Sequence, residues 1–401
     1  MYRKIITSII ALTLVSGTLF FHYNQSPPTA WTSREPLGWP VGKPTPTLDG
    51  SLAALSRAAW NGMLTLPITT RIAAYSSLAY QKAAFANNQY NPDAGVVAFT
   101  ETAAELITNP GLQEIVRTPA KSILDPARSL GVKVAKEVIN QSRTDGYDQA
   151  FNASIPATST PEFVRWKGSI YGPNSAEEPG WGSLKPIIDT ICTVPPSEID
   201  TLAELINSNT VQAIRAEQNI NNPAIAALTI YWVATEGVAR SEHWQGWVRT
   251  LQDNLPKKET LIREKALTNA MILMHTALIK AWHYKWRYQL SSWPDAQTDI
   301  DLIEGRLLVP LLSPGYPDEL SALASVAAAT LEYAQVENVR IEFPGKLSVS
   351  ARTRVLENPQ SALKESQTAS LALGLKTEES TKRGSELGKC VFDTFISKES
   401  K

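Results

Sequence analysis

Residues Pro314–Tyr333 read PGYPDELSALASVAAATLEY. A lead-in stiffened by Pro314, Gly315 and Pro317 runs into a stretch dominated by alanine and serine, which predicts a helix that its neighbours can approach closely. Asp318 and Glu319 fall in the first turn, where the unpaired N–H groups at the positive end of the helix dipole favour negative charge. On residue chemistry alone this is a well-capped helix at the centre of a bundle.

Two further stretches share its character. Upstream, Trp282, Lys285, Trp286 and Tyr288 fall in the order W-x-x-K-W-x-Y, followed by Ser292, Trp293 and Pro294. Downstream, Glu365, Gly374 and Gly384 punctuate a helical run that also holds Ala369, Ser370, Lys376 and Ser380. The three together resemble the anion-binding frame of the vanadium-dependent haloperoxidases and the type 2 phosphatidic acid phosphatases that share their fold. In that family the central stretch has the form P-x-Y-P-S-G-H-[SA] and runs into a small-residue helix; here Pro314, Tyr316, Pro317, Ser321, Ala324, Ala327, Ala328 and Ala329 keep the frame. The flanking stretches have the forms W-x-x-K-Y-x-Y-x-x-x-R-P and E-x-x-x-S-R-x-x-x-G-x-H-x-x-x-D-x-x-x-G.

The resemblance implies a mainly α fold, a single large helical bundle of the haloperoxidase and acid phosphatase type; the chain's own turn and strand pattern adds one short β-hairpin. It implies less about chemistry. The family cages vanadate or phosphate with a lysine, two arginines, a serine and two histidines, because a buried multivalent anion needs several cations and N–H donors. Lys285 keeps the lysine. Ser292 stands at the first arginine position, Asp318, Glu319 and Leu320 replace serine, glycine and the acid/base histidine, and Ala369, Ser370, Lys376 and Ser380 replace serine, arginine, histidine and aspartate.

Magnitudes decide what those replacements imply. A hydrogen bond to a charged group is worth roughly 1.5–3 kcal/mol. Losing two arginines and a histidine therefore removes about 5–9 kcal/mol by simple addition, against about 8 kcal/mol for micromolar affinity. Asp318 and Glu319 add like-charge repulsion. The expectation is that no cofactor is held, vanadate belonging to the alternative in which the chain is a divergent haloperoxidase or phosphatase. Three readings of the altered pocket stay open: an ion-pair network in which Lys285, Lys376 and Arg287 meet the two acids, a pocket for a cationic or neutral ligand, and acid/base chemistry by Glu319 with Lys285. Trp282, Trp286 and Trp293 fit a core as well as a pocket lining.

The 401 residues carry a net charge of −1, which gives no electrostatic footprint for nucleic acid. His22, His243, His275 and His283 show no zinc spacing, and His243, beside Trp244, reads as a packed, hydrogen-bonded residue. At the N-terminus, Arg3 and Lys4 precede an uncharged run of 17 residues, Ile5–Phe21. This pattern predicts export through a signal anchor, with a cleaved signal as the alternative. The membrane is thus an expected partner, through that segment, besides a ligand or protein that the sequence does not name. Export to the periplasm or cell surface permits a Cys192–Cys390 bridge without requiring it.

The domain organisation follows: residues 1–25 as the signal, 26–50 with six prolines as a linker, 51–395 as the helical domain and 396–401 as a polar tail. Helices are predicted from Ser51, over Thr69–Ala86, Gly95–Leu106, Asp125–Gln141, Glu198–Gln218, Pro223–Gly237, Glu242–Asn254 and Lys258–Leu290, and within Pro359–Asp393. Phe163–Asp189 reads as loop. Leu267, Met271, Met274, Leu278 and Trp282 mark the buried stripe of the long helix. Val339–Phe343 and Lys346–Ser350 are expected to pair across a Pro344-Gly345 turn.

Overall fold

The computed structural model describes residues 45–62, 64–86, 89–160, 165–166, 178–194, 232, 241–290, 313–342, 353–372 and 376–399. Eleven α-helices and one two-stranded sheet lie among them. Helix starts follow from local chemistry. Thr47 caps α1 (Leu48–Asn61) through Gly50 N, and Thr65, followed by Pro67, caps α2 (Leu66–Ala84). Asn91 with Pro92 opens α3 (Pro92–Leu106), and Asn109 with Pro110 opens α4 (Pro110–Arg117). Then come α5 (Ala127–Ser142) and the short α6 (Tyr147–Phe151).

After a 3₁₀ turn at Trp181–Ser183 follow α7 (Glu242–Asn254), the 29-residue α8 (Thr260–Tyr288) and α9 (Glu319–Tyr333). Strands β1 (Val339–Glu342) and β2 (Thr353–Leu356) precede α10 (Pro359–Ala372) and α11 (Glu378–Glu399).

Helix α8 stands between two halves: α2, which packs with α3 and α5, on one side, and α9 with α11 on the other. Its predicted stripe, Leu267, Met271, Met274, Leu278 and Trp282, is buried throughout. Burial goes right round the helix, as a central position demands: Thr268, His275, Thr276 and Lys285 are enclosed too. The loop-like segment before it anchors at Trp181, which is fully buried and meets the His275 ring edge-on at 6.1 Å. Gly182 beside it abuts the backbone of His283, where a Cβ would come within 2.3 Å of the main chain.

Several expectations need correction. The strand paired with β1 is Thr353–Leu356, antiparallel, with Val339 opposite Leu356 and Glu342 opposite Thr353. The Pro344-Gly345 dipeptide had suggested a tight turn to Lys346–Ser350, but β1 holds its register by burying Val339 and Ile341 and by bonds between Asn254 and the backbone of Arg340. Residues 346–350 lie outside the described residues. The polar tail expected at 396–401 is helical through Glu399, and Phe395 and Ile396 pack against the core. Among the described residues the first helix starts at Leu48, three residues before the expected Ser51. The helix predicted at Glu198–Gln218, most of Pro223–Gly237, Ser292 and the N-terminal run lie outside the described residues. Among the described residues, no helix is long and apolar enough to cross a membrane.

Candidate functional site

The N-terminus of α9 meets the C-terminal turn of α8 and the start of α11, and all the charged groups of interest converge there. Asp318 is fully buried and works as the cap of α9: Leu320 N donates to Oδ1 at 3.1 Å, and Ser321 N and Oγ donate to Oδ2 at 3.2 and 2.5 Å. The next residue, Glu319, turns inward. Its Oε2 lies 2.7 Å from Lys285 Nζ and 2.6 Å from Lys376 Nζ, so one carboxylate oxygen receives both ammonium groups. Lys376 also lies 3.6 Å from Asp318 Oδ1.

Lys285 spends its remaining protons on Ser313 Oγ (3.1 Å) and the Pro314 carbonyl (2.5 Å), and its ammonium sits 5.0 Å from the centre of the Trp282 ring. The site therefore holds two lysines and two carboxylates, each enclosed. Burial brings the Lys285 pKa down to about 8, against the opposing pull of Glu319. Burial works to raise that of Glu319, but Lys285 and Lys376 outweigh it and hold the carboxyl well below its usual range.

His243, on α7, forms the roof of the cluster. Its Nδ1 lies 2.6 Å from the Trp232 carbonyl oxygen and its Nε2 3.0 Å from that of Leu320. The ring thus ties α7 to the first turn of α9 while both of its nitrogens face the main chain. Burial lowers its pKa, opposed by the Trp232 carbonyl, the Asp318 carboxylate and the Leu320 carbonyl. On the far side Ser380 donates to the Gly315 carbonyl at 2.6 Å and its own carbonyl accepts from Asp318 N at 3.0 Å. The family frame has aspartate at that position; here the residue staples α11 to the lead-in of α9.

Of the residues singled out in the sequence, Lys285, Asp318, Glu319 and Lys376 come together, and Leu320 joins through its carbonyl. Ser370 is buried on α10 and takes no part in these bonds. Arg287, named in the ion-pair reading, is exposed two residues beyond Lys285, with its guanidinium 5.9 Å from the Tyr288 ring centre. Sequence reasoning did not anticipate Ser313; its place directly before Pro314 was the available signal. Glu365, a frame residue, accepts from Trp232 Nε1 at 3.2 Å and from Arg354 at 2.8 Å.

A second buried ion pair braces the other half of the bundle. Arg71 donates from Nε to Asp145 at 2.8 Å and from Nη2 to the Ser142 carbonyl at 2.9 Å, with its guanidinium 4.2 Å from the Tyr147 ring centre.

No family model and no curated protein matches this sequence. Solved structures do. A bacterial vanadium-dependent iodoperoxidase superposes on 86% of this chain and 95% of its own, with a TM-score of 0.66 and 18% identity. An apo-type bacterial vanadium-dependent chloroperoxidase covers 82% of this chain and 92% of its own (TM-score 0.59, 13% identity). A holo-type one covers 92% and 97% (0.58, 12%). At such identities the likeness is one of fold. The fold is that of the vanadium-dependent haloperoxidases.

Proposed function

We propose that this chain is an exported protein of the haloperoxidase fold, held at the cell envelope, that has left oxyanion chemistry behind and serves a binding or structural role. The observation that carries this reading is the single carboxylate oxygen of Glu319 between the ammonium groups of Lys285 and Lys376. The donor set does not suit vanadate. Two cations are already matched by two carboxylates, and an incoming trianion or dianion has to displace Glu319 and then face Asp318 across the same space. The Cys192–Cys390 bridge supports export, since such a bond persists in oxidising compartments.

The reading from the other class is a cofactor-free enzyme in which Glu319 and Lys285 exchange a proton. The Lys285 pKa near 8 favours it. The two groups, however, are buried and bonded to each other, which leaves neither presented to a substrate.

Titration of the purified full-length protein with orthovanadate and with inorganic phosphate tests the proposal. The expected result is no saturable binding at micromolar concentration, and no bromination of a phenolic dye with bromide and peroxide. Saturable micromolar binding of either anion, or halogenation above a protein-free control, overturns it.

A further inference from the structure

We infer that the turn between α7 and α8, with the first turns of α8, is a surface that lies against an anionic lipid bilayer; this rests on the envelope reading above and specifies which face of the body meets the membrane. Leu261 and Ile262 are 40% and 59% exposed at the start of a helix that is mostly buried from Leu267 to Trp282. Tyr90, 40% exposed, lies alongside them, with its hydroxyl donating to Glu264 at 2.6 Å. Lys257 and Lys258 precede these apolar residues in sequence and Lys265 follows them, its ammonium 5.2 Å from the Phe85 ring centre; all three lysines are exposed, as are the acids Glu259 and, at the end of α7, Asp253. Apolar side chains flanked by lysines are what an interfacial surface requires: the former enter the headgroup layer, and the latter meet lipid phosphates.

A few exposed aliphatic residues are ordinary on any soluble surface. What singles out this patch is the place where the preceding chain joins the body. Asp49, in the first turn of α1, pairs with Arg263 at 2.8 Å, and Gln252 donates to both the carbonyl and the carboxylate of Asp49 at 3.3 Å. The beginning of α1 is therefore fastened to the same α7–α8 turn, and Thr45, Pro46 and Thr47 are exposed beside it.

The N-terminal 44 residues, with the apolar run Ile5–Phe21, thus join the body at the edge of the lysine-rimmed patch. The stretch from His22 to Thr47 spans at most about 90 Å when fully extended. The place where the chain joins the body, rather than its reach, favours this face over the rest of the surface, so a weak patch suffices.

The test uses the full-length protein reconstituted into vesicles of phosphatidylcholine and phosphatidylglycerol. A polarity-sensitive fluorophore is placed through Ile262→Cys, and separately through Phe151→Cys. Both native cysteines are bridged, so the introduced thiol is the one labelled. Phe151 is half exposed and packs through Tyr147 towards Trp181, beside the His283 end of α8, roughly 30 Å along the helix from Ile262.

The expected result is a blue-shifted emission at position 262, with several-fold less quenching by iodide than at 151. That protection falls in pure phosphatidylcholine and in Lys257→Glu/Lys258→Glu, each lysine being worth about fivefold in association with an anionic surface. Equal quenching at 262 and 151, in protein that stays with the vesicles, overturns the inference and leaves the anchor intact. Protein that does not stay with the vesicles overturns both.

Discussion

Glu319 occupies a position at which a carboxylate is normally unwelcome: enclosed, at the first turn of a buried helix, with the acid Asp318 next to it. It is stable there because two ammonium groups converge on one of its oxygens, and breaking such a buried arrangement from one side leaves charge with no counter-ion. Glu319→Gln is accordingly expected to cost ~3–5 kcal/mol of folding stability, read from urea unfolding at pH 7. The pH dependence has a definite sign. The folded-state pKa of Glu319 lies below its ordinary value of 4.5, so its contribution is complete above that pH and is lost as the pH falls below it. The wild type should therefore lose stability more steeply than Glu319→Gln on acidification from pH 5, and curves of equal slope would remove Glu319 from the cluster. Lys285 acts in the alkaline range, where its folded-state pKa near 8 against 10.5 unfolded makes its own contribution favour folding as the pH rises between those values.

At the scale of elements, the contact that sets the site is α11 against α9. Gly384 and Gly388 sit one turn apart, and a Cβ on either would come within 2.0 Å of a main-chain oxygen, that of Asp318 or of Ala322. On an exposed helix Gly→Ala is worth up to about 1 kcal/mol in favour of the variant. Here the clash is with backbone, which cannot swing aside, and overpacking costs ~1–3 kcal/mol or more. Gly384→Ala and Gly388→Ala are each expected to lower the thermal midpoint, while an unchanged or higher midpoint would mean the two helices separate without cost. This contact also explains which parts of the fold were legible in the sequence. The alanines of α9 are a local sign of close approach and can be read within a few residues; the predicted starts at Ser51, Thr69 and Gly95 each fell three residues late, because the capping residues Thr47, Thr65 and Asn91 lie before the apolar period begins, and α4 was too short to show a period at all. The meeting of Lys376 with Glu319 spans 57 residues and depends on how α11 is set against α9, which no local pattern encodes. The antiparallel pair formed, but its second strand moved for the opposite reason: Pro344-Gly345 is a strong local turn signal for pairing with Lys346–Ser350, whereas β1, held by bonds from Asn254 and by the burial of Val339 and Ile341, pairs with Thr353–Leu356.

For the molecule as a whole, the segment 178–194 and the last helix are tied across the outside of the bundle. Cys192, at the end of that segment, is bonded to Cys390 of α11 over a sequence separation of 198, with Cα atoms 5.9 Å apart. The export proposed above would make this bond permissible, and the fold supplies the proximity that sequence could not. Nearby, Lys398 donates to the Asp189 carbonyl at 2.7 Å, so the same seam is closed twice. The bridge holds Trp181 and Gly182 down on α8 from one direction while α11 presses on α9 from the other. The two halves flanking α8 thereby share one covalent closure. Loop-closure entropy for so long a loop predicts about 5 kcal/mol, and measured bridges typically deliver 2–4 kcal/mol, because the unfolded chain is already compact. Cys192→Ser/Cys390→Ser should therefore lower the guanidinium midpoint by an amount equivalent to ~2–4 kcal/mol, and wild-type protein in a strong reductant should match it. If the bond were ornamental, the two midpoints would coincide with that of the oxidised wild type. If only the C-terminal end of α11 depended on it, hydrogen exchange would rise in α11 alone. A seam that secures the whole bundle predicts instead that protection falls together in α8, α9 and α11, because those three helices bury the Lys285–Glu319–Lys376 cluster among them.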